Sequence, residues 1–306
     1  MLDVIIIGGG PSGISAGIYA KRSGLDVMII EKSVVGGQVI NTYEVKNFPT
    51  YNNISGADFC LKLYEQALYN EIEIKNEEVE SVNLLGEIKT VKTNSACYQA
   101  KTVIICAGGK PRNLGLENEM NFVGKGISYC ALCDGNFFKD KTVCVVGGGD
   151  SAMEDAIYLG GICKKVYVIN RTQKLRAQAI LQNSLNEHIK NEGKIEVVYD
   201  AQITKLFGEN LLEKVEISFS DGRKEEKNID GLFLAIGKDP DTKIYAGQIE
   251  LNKNGYILVD KNFQTSAKGV FAGGDCIEKL IRQIITACSD GALCATHANN
   301  YIKGVE

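Results

Sequence analysis

Short apolar runs alternate with glycine clusters and longer mixed stretches along the chain. Residues 3–7 (DVIII) form a short apolar run that reads as a buried parallel strand. A glycine cluster follows, then a helix-like stretch, ISAGIYAKRSG, then a second apolar run, DVMIIE. Strand, glycine turn, helix and strand in this order open a doubly wound unit. The plan recurs: residues 142–146 (TVCVV), Gly147 to Gly149, the helix-like SAMEDAIYLGG and the run KVYVIN. TVIICAGGKPR (102–112) and GLFLAIGKDPD (231–241) echo each other as strands that end in glycine and then proline. They read as corresponding exit strands and as the places where the chain crosses between domains. The segments 72–98 and 194–228 read as small antiparallel strands, and 56–69, 178–191 and 282–302 as helices. The fold class expected is α/β, with two dinucleotide-binding (Rossmann-like) domains.

Composition narrows the partners. The 306 residues suit two domains, and 44% hydrophobic with 24% charged residues is ordinary for a globular protein. A net charge of −4 offers no broad basic surface for nucleic acid or acidic lipid, which leaves a small molecule or a protein. The apolar start, Val4 to Ile7, is far too short to span a membrane. Of the ten cysteines most stand singly in apolar runs, as Cys106 and Cys144 do, and behave as small buried hydrophobes. With no signal-peptide pattern, the expectation is a reduced, cytoplasmic protein in which a close cysteine pair is catalytic or metal-binding.

Gly8, Gly10 and Gly13 fit G-x-G-x-x-G, and Glu31 ends the second strand. The first glycine allows a tight turn, the second lets backbone approach a pyrophosphate, and the third lets helix and strand pack closely. A carboxylate at position 31 accepts ribose hydroxyls and repels a 2′-phosphate, so this site suits FAD or NAD. Gly147, Gly149 and Ala152 give the G-x-G-x-x-A variant. There Asn170 replaces the acid, and Arg171, Lys174 and Arg176 follow. A neutral residue beside a basic cluster favours NADPH over NADH; the bland alternative is a solvated basic turn.

Cys130-Ala131-Leu132-Cys133-Asp134-Gly135 carries the chemistry. Two thiols at this spacing close a small disulfide ring, and a helix N-terminus activates one of them. Zinc would need two more ligands, but the only histidines are His188 and His297 and there is no second C-x-x-C. Thiolate chemistry needs a proton source, and Asp134 is the nearest candidate; it could equally cap the next helix.

These motifs together resemble the low-molecular-weight thioredoxin reductases, across nearly the whole chain. The residues that carry the likeness are GGGPSG, with Pro11 and Ser12; GGQVINTYEVKNFP (36–49), with Gln38 and Asn47; and CALCDG. GGGDSAMEDA (147–156), with Asp150 and Ser151, and GVFAGGDC plus IRQIITACSDG, with Gly274, Asp275, Arg282 and Gln283, complete it; Ala107 and Gly108 belong to the exit turn. The resemblance implies a discontinuous FAD domain (1–112 plus 243–306) and an NAD(P)H domain (113–242) that carries the redox pair. It implies electron flow from NADPH through FAD to the Cys130–Cys133 disulfide and on to thioredoxin or a similar protein. Cys133 would face the flavin, Cys130 would attack the substrate and Asp134 would act as acid and base. It also implies a homodimer, and rotation of one domain about hinges near Lys110–Asn113 and Lys238–Asp241. Two positions depart from the pattern. The family's turn usually reads His-Arg-Arg, whereas here it reads Asn170-Arg171-Thr172, with Arg176 kept. A lost charge-assisted bond costs about 1.5–3 kcal/mol, so NADH, ferredoxin and flavodoxin stay open as donors. Leu132 replaces the usual threonine and would tune the pair's potential. A non-catalytic redox sensor is the remaining alternative, and the second fingerprint argues against it. No metal is expected.

Overall fold

The N-terminal apolar run forms β1 (Leu2–Ile7), and the glycine cluster turns it into α1 (Pro11–Arg22). In a computed structural model of the chain, which describes residues 1–42 and 45–305, the chain divides into two compact units. Unit one comprises Met1–Lys110 with Asp239–Glu306, and unit two is Pro111–Lys238.

Unit one continues with β2 (Val27–Glu31), α2 (Gly56–Tyr69), β3 (Glu73–Asn76), β4 (Val79–Asn83), β5 (Lys89–Thr93) and β6 (Cys97–Ile105). Ser55 caps α2 by accepting from the Asp58 amide at 3.0 Å. The strand order is β3-β2-β1-β6-β5-β4. β6 is long enough to serve more than one kind of partner: Cys97 to Ala100 pair antiparallel with Lys89 to Lys92 of β5, and Ala100 to Ile105 pair parallel with β1. The run read from sequence as wholly antiparallel is therefore split. β3 pairs parallel with β2, and the antiparallel arm is β4 on β5 and β5 on the start of β6. The alternation of β3 is weak because it is an edge strand, so pattern alone could not assign its direction.

The chain leaves through β7 (Gly109–Pro111) and builds unit two. Its elements are α3 (Glu119–Phe122), β8 (Ile127–Ser128), α4 (Ala131–Asp134), β9 (Thr142–Val146), α5 (Asp150–Ile162), β10 (Lys165–Ile169) and α6 (Ala179–Glu192). Then come β11 (Ile195–Val198), β12 (Ala201–Phe207), β13 (Lys214–Phe219), β14 (Lys224–Asn228) and β15 (Gly231–Leu234). A five-stranded sheet runs β11-β10-β9-β15-β8, and β12-β13-β14 form a separate antiparallel sheet. Here too the first strand of the stretch read as antiparallel, β11, joins the parallel sheet, against β10. Val143, Val145, Val166 and Val168 are fully buried against α5, as a parallel strand covered on both faces requires.

β16 (Lys238–Pro240) brings the chain back and pairs with β7. Unit one closes with β17 (Val270–Ala272), parallel to β6, and with α7 (Ile284–Lys303), which packs along α1. Within unit one Asp241 bridges Lys32 at 2.8 Å and Lys110 at 2.9 Å. Burial opposes ionisation of Asp241, yet these two lysines hold its pKa below the usual carboxylate value.

Candidate functional site

The two glycine turns are built alike. Gly8 has φ +105°, and a Cβ there would lie 2.2 Å from the Cys106 carbonyl; Gly147 has φ +144°, and a Cβ would lie 2.3 Å from the Ala235 carbonyl. Each turn is thus pressed onto its exit strand. The middle glycines face the end of the second strand: Gly9 meets Glu31, and Gly148 meets Asn170. Space around Gly10 and Gly149 is open, with nothing within 4 Å of a Cβ at either. Both head helices with no side-chain cap, α1 and α5, so each presents uncapped first-turn geometry beside an open cradle. Gly13 and Ala152 complete the fingerprints at the helix–strand contacts: a Cβ at Gly13 would meet the Gly8 carbonyl, and Ala152 Cβ lies 3.0 Å from a Cβ placed on Gly147.

The fit of the first turn to a dinucleotide rests on this cradle and on Glu31. The Gly9 amide donates to Glu31 Oε2 at 2.6 Å and the Ser33 amide to Oε1 at 2.9 Å, which fixes the carboxylate at the strand end. The C-terminal candidates of unit one come to the same region. Gly274 abuts Ser12, and Asn47 Nδ2 donates to Gln283 Oε1 at 2.9 Å, joining two segments 236 positions apart. Gln283 also N-caps α7 in a reciprocal box with Thr286. Arg282 lies over the Tyr256 ring at 4.2 Å, and its Nη2 donates to the Ile277 carbonyl at 3.3 Å. Asp275 is half-buried in a short 3-10 turn, Gln38 lies exposed on another, and Ala107 and Gly108 follow β6. Tyr43 and Glu44, in the same stretch as Gln38 and Asn47, lie outside the described residues.

At the second turn Asn170 is 5% exposed, and its Nδ2 donates to the Thr172 carbonyl at 2.7 Å and the Lys174 carbonyl at 3.2 Å. The Gly148 carbonyl accepts from the amides of Arg176 at 2.6 Å and Ala177 at 3.0 Å. Asp150 accepts from the Gln178 amide at 2.8 Å. Ser151 is exposed on the first turn of α5. This lattice holds Arg171, Lys174 and Arg176 exposed, and none of the three has an ion-pair partner among the described residues. Such a fixed arch of unpaired cations beside an open glycine turn fits a phosphorylated nucleotide.

Cys130 and Cys133 form a disulfide at the start of α4, with Cys130 as N-cap; its sulfur accepts from the Cys133 amide at 3.1 Å. Asp134 does not cap the following turn. Its Oδ2 instead accepts from the Ser128 hydroxyl at 2.6 Å, and the same hydroxyl accepts the Cys130 amide at 3.0 Å. Ser128 thus ties the acid to the disulfide, a role no sequence motif flagged. Burial raises the pKa of Cys60, Cys106, Cys144, Cys163, Cys276, Cys288 and Cys294, so those thiols stay protonated and unreactive. Among the described residues no cluster of three His, Cys, Asp or Glu side chains could hold a metal, and no helix is long and apolar enough to cross a membrane. A second feature missed by motif is the buried Lys279–Asp290 ion pair, at 2.6 Å.

The pyridine nucleotide-disulphide oxidoreductase family matches residues 2–291. A 34.2 kDa protein in the rubredoxin operon of Clostridium pasteurianum is 41% identical over 305 residues, covering 99% of this chain and 98% of that protein. Thioredoxin reductase of Listeria monocytogenes is 39% identical over 305 residues, covering 98% of this chain and 94% of that one. The crystal structure of Lactococcus lactis thioredoxin reductase in its FR conformation superposes with a TM-score of 0.95 at 34% identity, covering 100% of both chains. Two matched glycine cradles, a disulfide beside an anchored carboxylate and a family match across nearly the full length agree: the chain belongs to the pyridine nucleotide-disulphide oxidoreductases.

Proposed function

We propose that unit one holds FAD, that unit two holds NADPH, and that electrons leave through Cys130 and Cys133 to thioredoxin. The chain is a flavin-dependent thioredoxin-disulfide reductase, in keeping with full-length relatives and a solved structure of that name. The observation that carries the mechanism is the Cys130–Cys133 disulfide with Asp134 held beside it through Ser128. FAD, when bound, supplies the two-electron step between the nicotinamide and the disulfide. Gly10, Ser12 and Gly13 would take its diphosphate, Glu31 its adenosine ribose, and Asp275, Asn47 and Gln283 its other half. Once the pair is reduced, Cys130 as thiolate attacks the substrate disulfide and forms a mixed disulfide. Cys133 then attacks Cys130 Sγ, restoring the intramolecular bond and releasing the second substrate sulfur. Asp134 takes and returns the proton that these thiol–thiolate changes require.

The test is Cys133→Ser. It should abolish thioredoxin reduction while the flavin is still bleached by NADPH. Unchanged disulfide turnover would remove Cys133 from the route.

A second reading concerns the donor, and it rests on Thr172. Where the family pattern has an arginine, the Thr172 hydroxyl donates inward to the Lys174 carbonyl at 2.9 Å and offers no charge. NADH or a reduced ferredoxin or flavodoxin would then serve, and stopped-flow bleaching with each donor separates the cases. We also assign the working form as a cytoplasmic homodimer. Leu61, Tyr64, Leu68 and Tyr69 are exposed together along α2, an apolar surface suited to a second copy; light scattering on the eluted holoenzyme tests it.

A further inference from the structure

We propose that Lys279 serves FAD binding electrostatically, by cancelling the buried charge of Asp290 behind the site of the cofactor's diphosphate. The proposal rests on the assignment of FAD to unit one.

Lys279 and Asp290 have side chains only 13% and 10% exposed, with Nζ and Oδ2 2.6 Å apart. Burying such a pair returns little net stability, since desolvation of both ions offsets their attraction. Its position gives it another use. Asp290 Oδ2 also accepts the Gly274 amide at 2.9 Å. Gly274 lies against Ser12, where a Cβ would come within 3.0 Å of the Ser12 Cβ. Gly291, the next residue on α7, is pressed onto the Ser12 backbone, where a Cβ would sit 1.9 Å from the Ser12 carbonyl oxygen. Ser12 belongs to the first turn of α1, the uncapped turn at the open Gly10 cradle. The carboxylate therefore stands directly behind the backbone that would receive two phosphates.

A helix start attracts anions, and an uncompensated carboxylate beneath it opposes that attraction. Low local polarity extends the reach of such a charge. The thiols packed nearby, Cys106, Cys276 and Cys294, are uncharged because burial raises their pKa values. The cation that meets Asp290 is Lys279, which also reaches the Thr286 hydroxyl at 3.4 Å. A simple brace and a charge-cancelling device make different predictions. If the pair only braces the fold, removing either partner loosens FAD alike. If Lys279 masks Asp290, the two removals act in opposite senses.

The experiment follows release of FAD from diluted holoenzyme by the rise of free-flavin fluorescence. Lys279→Gln should bind FAD about tenfold more weakly, the size expected for one uncompensated charge at intermediate polarity. Lys279→Arg should keep FAD. Asp290→Asn should hold FAD as tightly as the parent protein or more tightly, and Lys279→Gln with Asp290→Asn should recover the loss. Equal loosening by Lys279→Gln and Asp290→Asn, or none by Lys279→Gln, overturns the proposal. Should Lys279→Gln fail to fold, Asp290→Asn alone decides, because looser FAD in that variant contradicts it. A parent protein that purifies without flavin and takes up none would instead overturn the FAD assignment.

Discussion

Asn170 closes the turn after β10 by donating from Nδ2 to the carbonyl of Thr172 at 2.7 Å. With Lys174 O also accepting, at 3.2 Å, the amide can point only one way: its nitrogen goes into the turn and Oδ1 faces Gly148. An aspartate here has no donor and would set a carboxylate against two carbonyls. By this geometry an acid at this strand end should not convert the site from NADPH to NADH. Asn170→Asp should raise KM for NADPH about tenfold or more, as loss of two hydrogen bonds of ~1 kcal/mol each implies. Flavin reduction at saturating NADPH should change little, and NADH should gain nothing. Steady-state kinetics with both nucleotides decide, and a lower KM for NADH would refute this account of Asn170.

Ser128 is 5% exposed, and its hydroxyl joins the Cys130 amide to the Asp134 carboxylate. Ser128→Ala leaves Asp134 without that donor and free to turn away from the sulfurs. A hydrogen bond to a charged group contributes about 1.5–3 kcal/mol, so thioredoxin reduction should fall about tenfold or more. Bleaching of the flavin by NADPH should be unaffected. Equal slowing of both half-reactions in stopped flow would make Ser128 a residue of general structure.

The features readable from sequence are those whose physics is local. Gly8 and Gly147 announce themselves because a tight turn onto a strand constrains only a few neighbouring residues, and Cys130 with Cys133 because three residues set their distance. Pairings made by topology were out of reach. β3 and β11 look like the antiparallel strands that follow them, and only register against β2 and β10 assigns them to the parallel sheets. Asn47 and Gln283 were each legible within a motif, but their hydrogen bond depends on how unit one closes. Lys279, Asp290 and Ser128 gave no signal, since a buried charge or hydroxyl acquires its role only from the partners that folding brings to it.

Gly10 separates the fold from the site. Its φ of −74° and ψ of −175° are open to any L residue, and nothing lies within 4 Å of its Cβ position. Gly10→Val should therefore fold, with an unchanged far-ultraviolet circular dichroism spectrum, yet purify colourless because the side chain fills the cradle. Its melting temperature should fall by the linkage that bound FAD otherwise provides. A yellow Gly10→Val protein would place the diphosphate elsewhere. Gly8→Ala, with its Cβ pressed on the Cys106 carbonyl, should instead express poorly or unfolded.

Asp155, on α5, has its pKa raised from 3.8 to about 7, first by burial and then by the neighbouring Glu154. In the unfolded chain the carboxyl ionises near its ordinary value, whereas in the folded chain it keeps its proton until about pH 7. Between these values the folded state binds more protons, so stability falls as pH rises through the window and then levels off. Asparagine keeps the shape and removes the ionisation. Asp155→Asn should therefore melt above the parent protein by a margin that is small near pH 4.5 and grows toward neutrality. It should reach at least about 2 °C by pH 7.5, taking roughly 1.5 °C per kcal/mol for a chain longer than 250 residues, and widen no further above that. Thermal melts of the two holoproteins across the range decide: a margin identical at pH 4.5 and 7.5 would mean that Asp155 ionises in the folded chain as it does in the unfolded one.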